Sequence, residues 1–174
     1  MFMEVTHSKM VNLEVGCGKR QVAQNSIGID IDKTSHCDVV ADAHFLPFRN
    51  NVFDKTILFE VCEHLDDPKK ALMEIARVSS KVLISVPNVY WLRRLLRWIV
   101  KGEGAVSPEH IYGWTLLELK NLLSISGFEI ESIDFFDTHF AGENILKLLL
   151  PFLPRRITKQ SLFIIGIKGC GHVV

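Results

Sequence analysis

The chain predicts a three-layer α/β sandwich around a seven-stranded sheet, and three observations carry that expectation. Short apolar runs recur at 11–15, 27–31, 38–41, 55–60, 81–86, 128–136 and 161–168, with the length and composition of buried strands. Helical patterns with clear start signals lie between later runs, at 68–78 and 116–126, and such alternation marks a sheet covered by helices. The composition is that of one globular domain: 174 residues, 48% hydrophobic and 23% charged, with 20 basic against 20 acidic side chains. That length allows one substantial core and is too short for a second. The balanced charge excludes a general attraction to nucleic acid, so none is expected as a partner.

The first strand carries Glu14 near its end and runs into Gly16-Cys17-Gly18. Glycines adopt φ values closed to other residues and leave backbone N–H groups uncovered, so a ligand can lie against the main chain. The second strand ends in Asp30 and Ile31. An aspartate there can accept hydrogen bonds from two ribose hydroxyls, which makes a nucleotide-like ligand the natural occupant. A dinucleotide fingerprint starting at Gly16 needs glycine at position 21, where the chain has Gln21; the pyrophosphate turn is incomplete. The first two crossovers are shorter than the dozen or more residues that parallel strands ordinarily require. Both early helices are therefore expected to be stunted or replaced by loops, leaving the pocket beside them open until later segments close it.

The helix at 68–78 starts with Asp67 as N-cap and Pro68 in the first turn, and Leu72, Ile75 and Ala76 line the face expected to pack on the sheet. The helix at 116–126 opens with a capping box, Thr115 with Glu118, and closes at Gly127. Cys17, Cys37, Cys62 and Cys170 form no C-x-x-C pair, which predicts a reducing compartment and no metal site. MFMEVTHSKM has no long apolar core with a cleavage site, and no apolar run reaches bilayer-spanning length, so a cytoplasmic location is expected.

The block DVVADAHFLPFRNNVFDKTILFEVCEHLDDPKKALMEIARV, 38–78, resembles the small class I S-adenosylmethionine-dependent methyltransferases, of the type 11-like kind. Asp42-Ala43, Leu46 to Phe48, Phe53-Asp54, Glu63-His64 and Arg77-Val78 recur in that family in this order. The likeness continues through KVLISVPN and the last strand, SLFIIGIK. Two departures stand out: Arg20 replaces a frequent third glycine, and Ser79-Ser80-Lys81 replaces a glycine-rich turn. The resemblance implies a Rossmann-like, mostly parallel sheet with an antiparallel last strand, in a single methyltransferase domain over 1–174. It also implies S-adenosyl-L-methionine as cofactor. Glu14 would orient the methionine ammonium, and Gly16, Cys17 and Gly18 would meet the methionine portion. Asp30 and Ile31 would hold the ribose side, with Glu60 as a further cofactor contact. Asp42 would accept the adenine amino proton, backbone from Ala43 or His44 would reach the ring, and Leu46 would wall the purine. Methyl transfer is an in-line displacement in which the protein aligns the acceptor and excludes water. His64 is the nearest candidate base; its alternative role is to cap a strand end.

Acceptor choice is expected to rest on two substrate-side segments, 89–114 and 137–160. In the first, at 100° per residue, Arg93, Arg94, Arg97 and Lys101 share an arc of about 100° and Trp91, Leu92, Leu95, Leu96, Trp98, Ile99 and Val100 fill the rest. In the second, ILKLLLPFLPRR at 145–156 also ends in arginines. The plainer expectation packs both on the core or on the partner subunit of a homodimer, with arginines in solvent. The sharper ones have them wall a small-molecule or lipid-like acceptor, or touch a membrane surface. His110 and Tyr112 are expected to overhang the pocket mouth and touch the acceptor, with Trp114 as a structural anchor. Two rival readings stay open: an inactive S-adenosylmethionine-binding module, and a peripheral membrane or protein-interaction unit working through the basic helix 89–101.

Overall fold

A computed structural model describes residues 11–18, 25–33, 37–102, 110–136 and 154–169. Seven strands, β1 (Asn12–Val15), β2 (Ser26–Asp30), β3 (Val39–Val40), β4 (Thr56–Phe59), β5 (Lys81–Pro87), β6 (Phe128–Phe136) and β7 (Ser161–Lys168), form one sheet. Their order is β3-β2-β1-β4-β5-β7-β6. β1 to β5 pair in parallel, and β7 lies antiparallel between β5 and β6. The mostly parallel sheet with an antiparallel last strand is therefore as expected. Leu13, Ile29, Leu58, Val82, Ile84 and Ile164 are buried along its middle, because strands covered on both faces hide both side-chain sets. β1 and β4 stand side by side while the chain winds outward from each. In an open parallel sheet, that reversal leaves a crevice at the C-terminal strand ends.

The crossovers are short: 16–25 joins β1 to β2, and 31–38 joins β2 to β3. Residues 19–24, with Arg20 and Gln21, and most of the second substrate-side segment lie outside the described residues. β2 ends at Asp30, one residue earlier than expected, so Ile31 stands beyond the strand and is 71% exposed. The third strand shrinks to two residues. A 3-10 turn (Cys62–His64) follows β4, and its compact form gave no periodic signal.

α1 (Pro68–Val78) begins as expected, with the Asp67 side chain accepting from Lys70 N. Its buried face is Ala71, Leu72, Ile75 and Val78; Ala76 packs at the margin. Ser79, in place of a glycine, is buried; its hydroxyl accepts from Thr56 Oγ1 and is within bonding reach of Ile75 O. α2 (Leu92–Lys101) starts after a turn in which Asn88 Oδ1 accepts from Tyr90 N. Arg97 lies in solvent as expected, but Arg94 does not. Arg94 turns inward, while Leu96, Trp98, Ile99 and Val100 are exposed. Glu60 and Glu63, which attract the Arg94 guanidinium, supply the physical reason. α3 (Leu116–Ile125) carries the full Thr115–Glu118 capping box, and Gly127 follows at φ 91°. A short helix, α4 (Arg155–Thr158), precedes β7 and is held to the end of β5 by Asn88 Nδ2, which donates to Arg156 O and Lys159 O.

Candidate active site

The turn after β1, a backbone cradle, corrects one expectation: the N–H groups of Gly16, Cys17 and Gly18 are not left uncovered but donate within the protein, so its carbonyls and its open surface are what it can offer a ligand. Gly16 and Gly18 have φ of 70° and 56°, in the left-handed region that favours glycine. Gly16 N and Cys17 N both donate to Ile29 O, at 2.8 and 3.1 Å. A Cβ on Gly16 would lie 2.5 Å from Val61 Cγ2, so the chain after β4 packs directly beneath this turn. A Cβ on Gly18 would meet nothing within 4 Å among the described residues. Asp30 ties the cradle to β2. Its Oδ2 accepts from Gly18 N at 2.8 Å and its Oδ1 from Asp32 N at 2.9 Å. Cys17 is buried and its thiol is pushed up to about 11 by burial, so it is unreactive filling. Glu14, on β1, is also buried.

Past β3, Asp42 Oδ1 accepts from His44 N at 2.8 Å and from His44 Nδ1 at 2.6 Å. Those bonds, the backbone one first, hold the Asp42 carboxyl below its ordinary range. Asp67 N donates to His44 Nε2 at 3.3 Å, which assigns the His44 proton to Nδ1. The His44 N–H is thus committed to Asp42 and does not reach a purine, correcting one expectation. Leu46 corrects another: it is 4% exposed and belongs to the core. Its N donates to Glu74 Oε2 and its O accepts from Arg77 Nη2. The LPF segment and the Arg-Val helix end recur together because one clamps the other. Near this site Ile31, Val40 and Phe45 are exposed, the last beneath the Lys70 ammonium at 3.4 Å.

At the end of β4, Glu60 adopts φ 56°, a costly value for a residue with a Cβ. Ser85 holds it there: Glu60 N donates to Ser85 O at 3.1 Å, and Ser85 Oγ donates to Glu60 Oε1 at 3.1 Å. Glu63 is 1% exposed, and neither of its carboxyl oxygens has a hydrogen-bond partner. Burial, reinforced by Glu60, pushes its pKa up to about 8. Burial likewise lowers that of Arg94, whose Nη1 is buried without a partner. Glu63 O accepts from Ile111 N at 2.9 Å and Tyr112 N at 3.2 Å, and Tyr112 Oη donates to Asp66 O at 3.2 Å. His110 is thereby brought edge-on to His64, with ring centroids 4.7 Å apart. Tyr112 stacks obliquely on Trp114 at 5.2 Å.

Two sets of expected residues therefore occupy the C-terminal strand ends. Glu14, Gly16 to Gly18, Asp30, Ile31, Asp42 and Ala43 follow β1, β2 and β3, and Glu60, His64, His110 and Tyr112 gather past β4. Arg94 and the buried state of Glu63 were missed. A buried arginine on an amphipathic helix carries no sequence signal that separates it from a solvated one.

S-adenosyl-L-methionine presents an ammonium, two ribose hydroxyls and an adenine amino group, all hydrogen-bond donors. The acceptor-only carboxylates of Glu14, Asp30 and Asp42 and the open side of Gly18 suit it. Comparison with known proteins agrees. Residues 3–133 match the family described as methyltransferase domain. The uncharacterised protein MJ1252 of Methanocaldococcus jannaschii is 34% identical over 52% of this chain and 42% of its own. The arginine-hydroxylase NDUFAF5 of Danio rerio is 26% identical over 84% of this chain and 53% of its own. A probable S-adenosylmethionine-dependent methyltransferase of Mycolicibacterium smegmatis is 28% identical over 68% and 52%. The chain thus spans about half the length of these curated relatives. Among solved structures, a SAM-dependent methyltransferase of Archaeoglobus fulgidus matches with a TM-score of 0.65 and 21% identity, over 91% of this chain and 86% of that one. A chain in the complex of the Haloferax volcanii Trm112 methyltransferase activator with a methyltransferase matches with a TM-score of 0.66 and 15% identity, over 97% and 86%. With the family match covering most of its length and the sheet order and strand-end cradle in place, the chain belongs to the methyltransferase domain family, whose class I members use S-adenosyl-L-methionine.

Proposed function

We propose that this domain methylates a small, largely apolar acceptor held between the turn after β4 and α2. The observation that carries the proposal is the convergence of Glu63, His64, Arg94 and His110 at the end of β4, directly beside the glycine cradle through Val61. Buried polar atoms without partners are costly, and a polar acceptor group would meet that need. Bound S-adenosyl-L-methionine supplies a methyl group already activated on a sulfonium. Asp30 and Asp42 hold the ribose and adenine, Glu14 and the Gly16–Gly18 backbone hold the amino-acid end, and Ile31, Ala43 and Glu60 complete the walls. His64 is the proton acceptor nearest to the acceptor, and Tyr112 holds the 110–114 segment over it.

An apolar, lipid-like acceptor is supported by two features. A cavity of about 360 Å³ lies beside the end of β5, lined by Tyr90, Leu116, Phe135, Ile157 and Leu162 with Asn88 and Arg156; it includes no residue of the Glu63–His64–Arg94–His110 cluster and so offers room for an apolar portion of the acceptor apart from the reacting group. The neighbouring α2 exposes Trp98, Ile99 and Val100, a face suited to a membrane surface. Among the described residues, no helix is long and apolar enough to cross a membrane.

Calorimetry with S-adenosyl-L-methionine and its demethylated product, followed by label transfer from methyl-labelled cofactor into lipid and polar fractions, tests the proposal. Label in the lipid fraction is the expected result. A folded protein that binds neither compound overturns the enzyme reading, and tight binding with no labelled product in any fraction favours the inactive module.

A further inference from the structure

We propose that Glu63, His64 and His110 form a binding site for a first-row divalent transition-metal ion. The inference goes beyond methyl transfer and is readable without it.

One ligand atom from each of the three residues lies within 4.8 Å of the others. Nitrogen and oxygen ligands on a metal at about 2.0–2.2 Å stand about 3.3–3.5 Å apart in tetrahedral geometry. Small side-chain rotations therefore close the set. His64 is exposed and His110 half-buried, so both have room to turn. Glu63 has none, and it is the fixed point: 1% exposed, with both carboxyl oxygens buried and unpartnered. A buried carboxyl with no hydrogen-bond donor on either oxygen gains from a ligand that can supply positive charge.

The third ligand comes from far along the chain and is nevertheless fixed. Ile111 N and Tyr112 N donate to Glu63 O at 2.9 and 3.2 Å. Backbone hydrogen bonds to one ligand residue thus position the next, the kind of support that holds metal ligands in orientation. The guanidinium of Arg94, whose Nη1 is buried without a hydrogen-bond partner, is not bonded to either Glu63 oxygen, so both oxygens stay open to a metal ion.

Two imidazoles and one carboxylate select zinc, iron or cobalt over magnesium or calcium, which prefer all-oxygen shells. A three-ligand site also keeps coordination positions open. A substrate hydroxyl or carboxylate is the chemical class that would fill them.

The test uses the full chain after chelator treatment. Titration with Co²⁺ is followed by its visible absorption, and Zn²⁺ uptake by calorimetry. One equivalent is expected, with Glu63→Gln, His64→Asn and His110→Asn each weakening binding at least tenfold. Wild-type protein supplies an independent measurement: Zn²⁺ should shift the imidazole resonances of His64 and His110 and leave His44, engaged by Asp42, in place. Absence of saturable 1:1 uptake overturns the proposal. So does wild-type affinity in any one folded variant, or shifts confined to other histidines, which would mean adventitious binding. Methyl transfer enters none of these readouts, so metal uptake can fail while methyl transfer stands; a metal held by His64 would take over the lone pair proposed above as proton acceptor, leaving cofactor binding and label transfer to be judged separately.

Discussion

Arg77 gives the most decisive test of how the cofactor-side loop is held. Its three nitrogens place all five N–H groups: Nε and Nη2 on Glu74 at 2.8 Å each, Nη2 also on Leu46 O at 2.9 Å, and Nη1 on Phe48 O at 2.7 Å and Asn50 Oδ1 at 3.0 Å. Glu74 Oε2 in turn accepts from Leu46 N at 2.9 Å. The Glu74 and Arg77 side chains are 24% and 31% exposed, so the ion pair itself is worth roughly 0.5–1 kcal/mol. The three bonds to neutral acceptors add about 0.5–1.5 kcal/mol each. Arg77→Ala is expected to cost about 2–5.5 kcal/mol in all. Urea denaturation followed by circular dichroism measures it, and thermal melts should show a fall in Tm of roughly 4–20 °C for a domain of this size. Arg77→Lys should recover little, because one ammonium cannot span a fork that reaches three backbone and side-chain acceptors.

The pH dependence of the same variant checks the cause. The Arg77 hydrogen bond holds the Glu74 carboxyl below its ordinary value of 4.5. A depressed carboxyl stabilises the fold above its unfolded pKa, and that contribution disappears as pH falls through the lowered folded value. The gap between wild type and Arg77→Ala should therefore be full at pH 7 and narrow as pH drops below about 4.5. An Arg77→Ala protein within about 0.5 kcal/mol of wild type at pH 7, or a gap that widens in acid, refutes the clamp.

The glycine turn separates stability from binding. Gly16→Ala drives its methyl to 2.5 Å from Val61 Cγ2 at φ 70° and should destabilise by about 2–3 kcal/mol in thermal melts. Gly18→Ala, at φ 56° with open space around its Cβ, should cost only about 1 kcal/mol. It should weaken S-adenosyl-L-methionine more than tenfold by calorimetry, and unchanged affinity would remove the cradle. Asp30→Asn removes the charge that Gly18 N and Asp32 N meet; cofactor affinity should fall by about 1–3 kcal/mol, or roughly 5–150-fold in Kd. Replacing Trp98, Ile99 and Val100 together by serine should abolish pelleting with anionic vesicles if α2 meets a membrane. Equal pelleting of the variant would assign that binding to another surface.

What could be read from the chain alone depended on how local each signal was. The Asp67 cap, Pro68 and the Thr115–Glu118 box lie within one helical turn of the element they start, and their helices form as expected. Leu46 was assigned to the purine because it follows Asp42 closely. The contacts that settle its place come from Glu74 and Arg77, which touch it in space but stand 28 and 31 residues away in sequence. α2 shows a different limit. Periodicity identifies an arginine face and an apolar face, but it is silent about which single residues turn inward: Leu92, Arg94 and Leu95 are part-buried and Arg97 is exposed. Here Glu60 and Glu63 draw Arg94 in and leave Trp98, Ile99 and Val100 outside.

The same distinction divides the two halves of the site. Each residue proposed to hold the cofactor sits at or just past the end of its own strand, so the placement of Gly16, Asp30 and Asp42 was legible one strand at a time. The proposed acceptor side is assembled across the chain: Glu63 and His64 from the turn after β4, Arg94 from α2, and His110 from a segment hung on Glu63 by two backbone hydrogen bonds. A substitution on the cofactor side should therefore act on one contact. One at Glu63 should act on several, because its carbonyl positions His110 while its carboxyl faces Arg94. Glu63→Gln keeps the carbonyl and removes the charge, and His110→Asn keeps the charge and removes the ring. If the acceptor side is one assembled unit, their combined effect on metal uptake or methyl transfer is smaller than the sum of the two. Simple additivity would mean that two independent features share the end of β4.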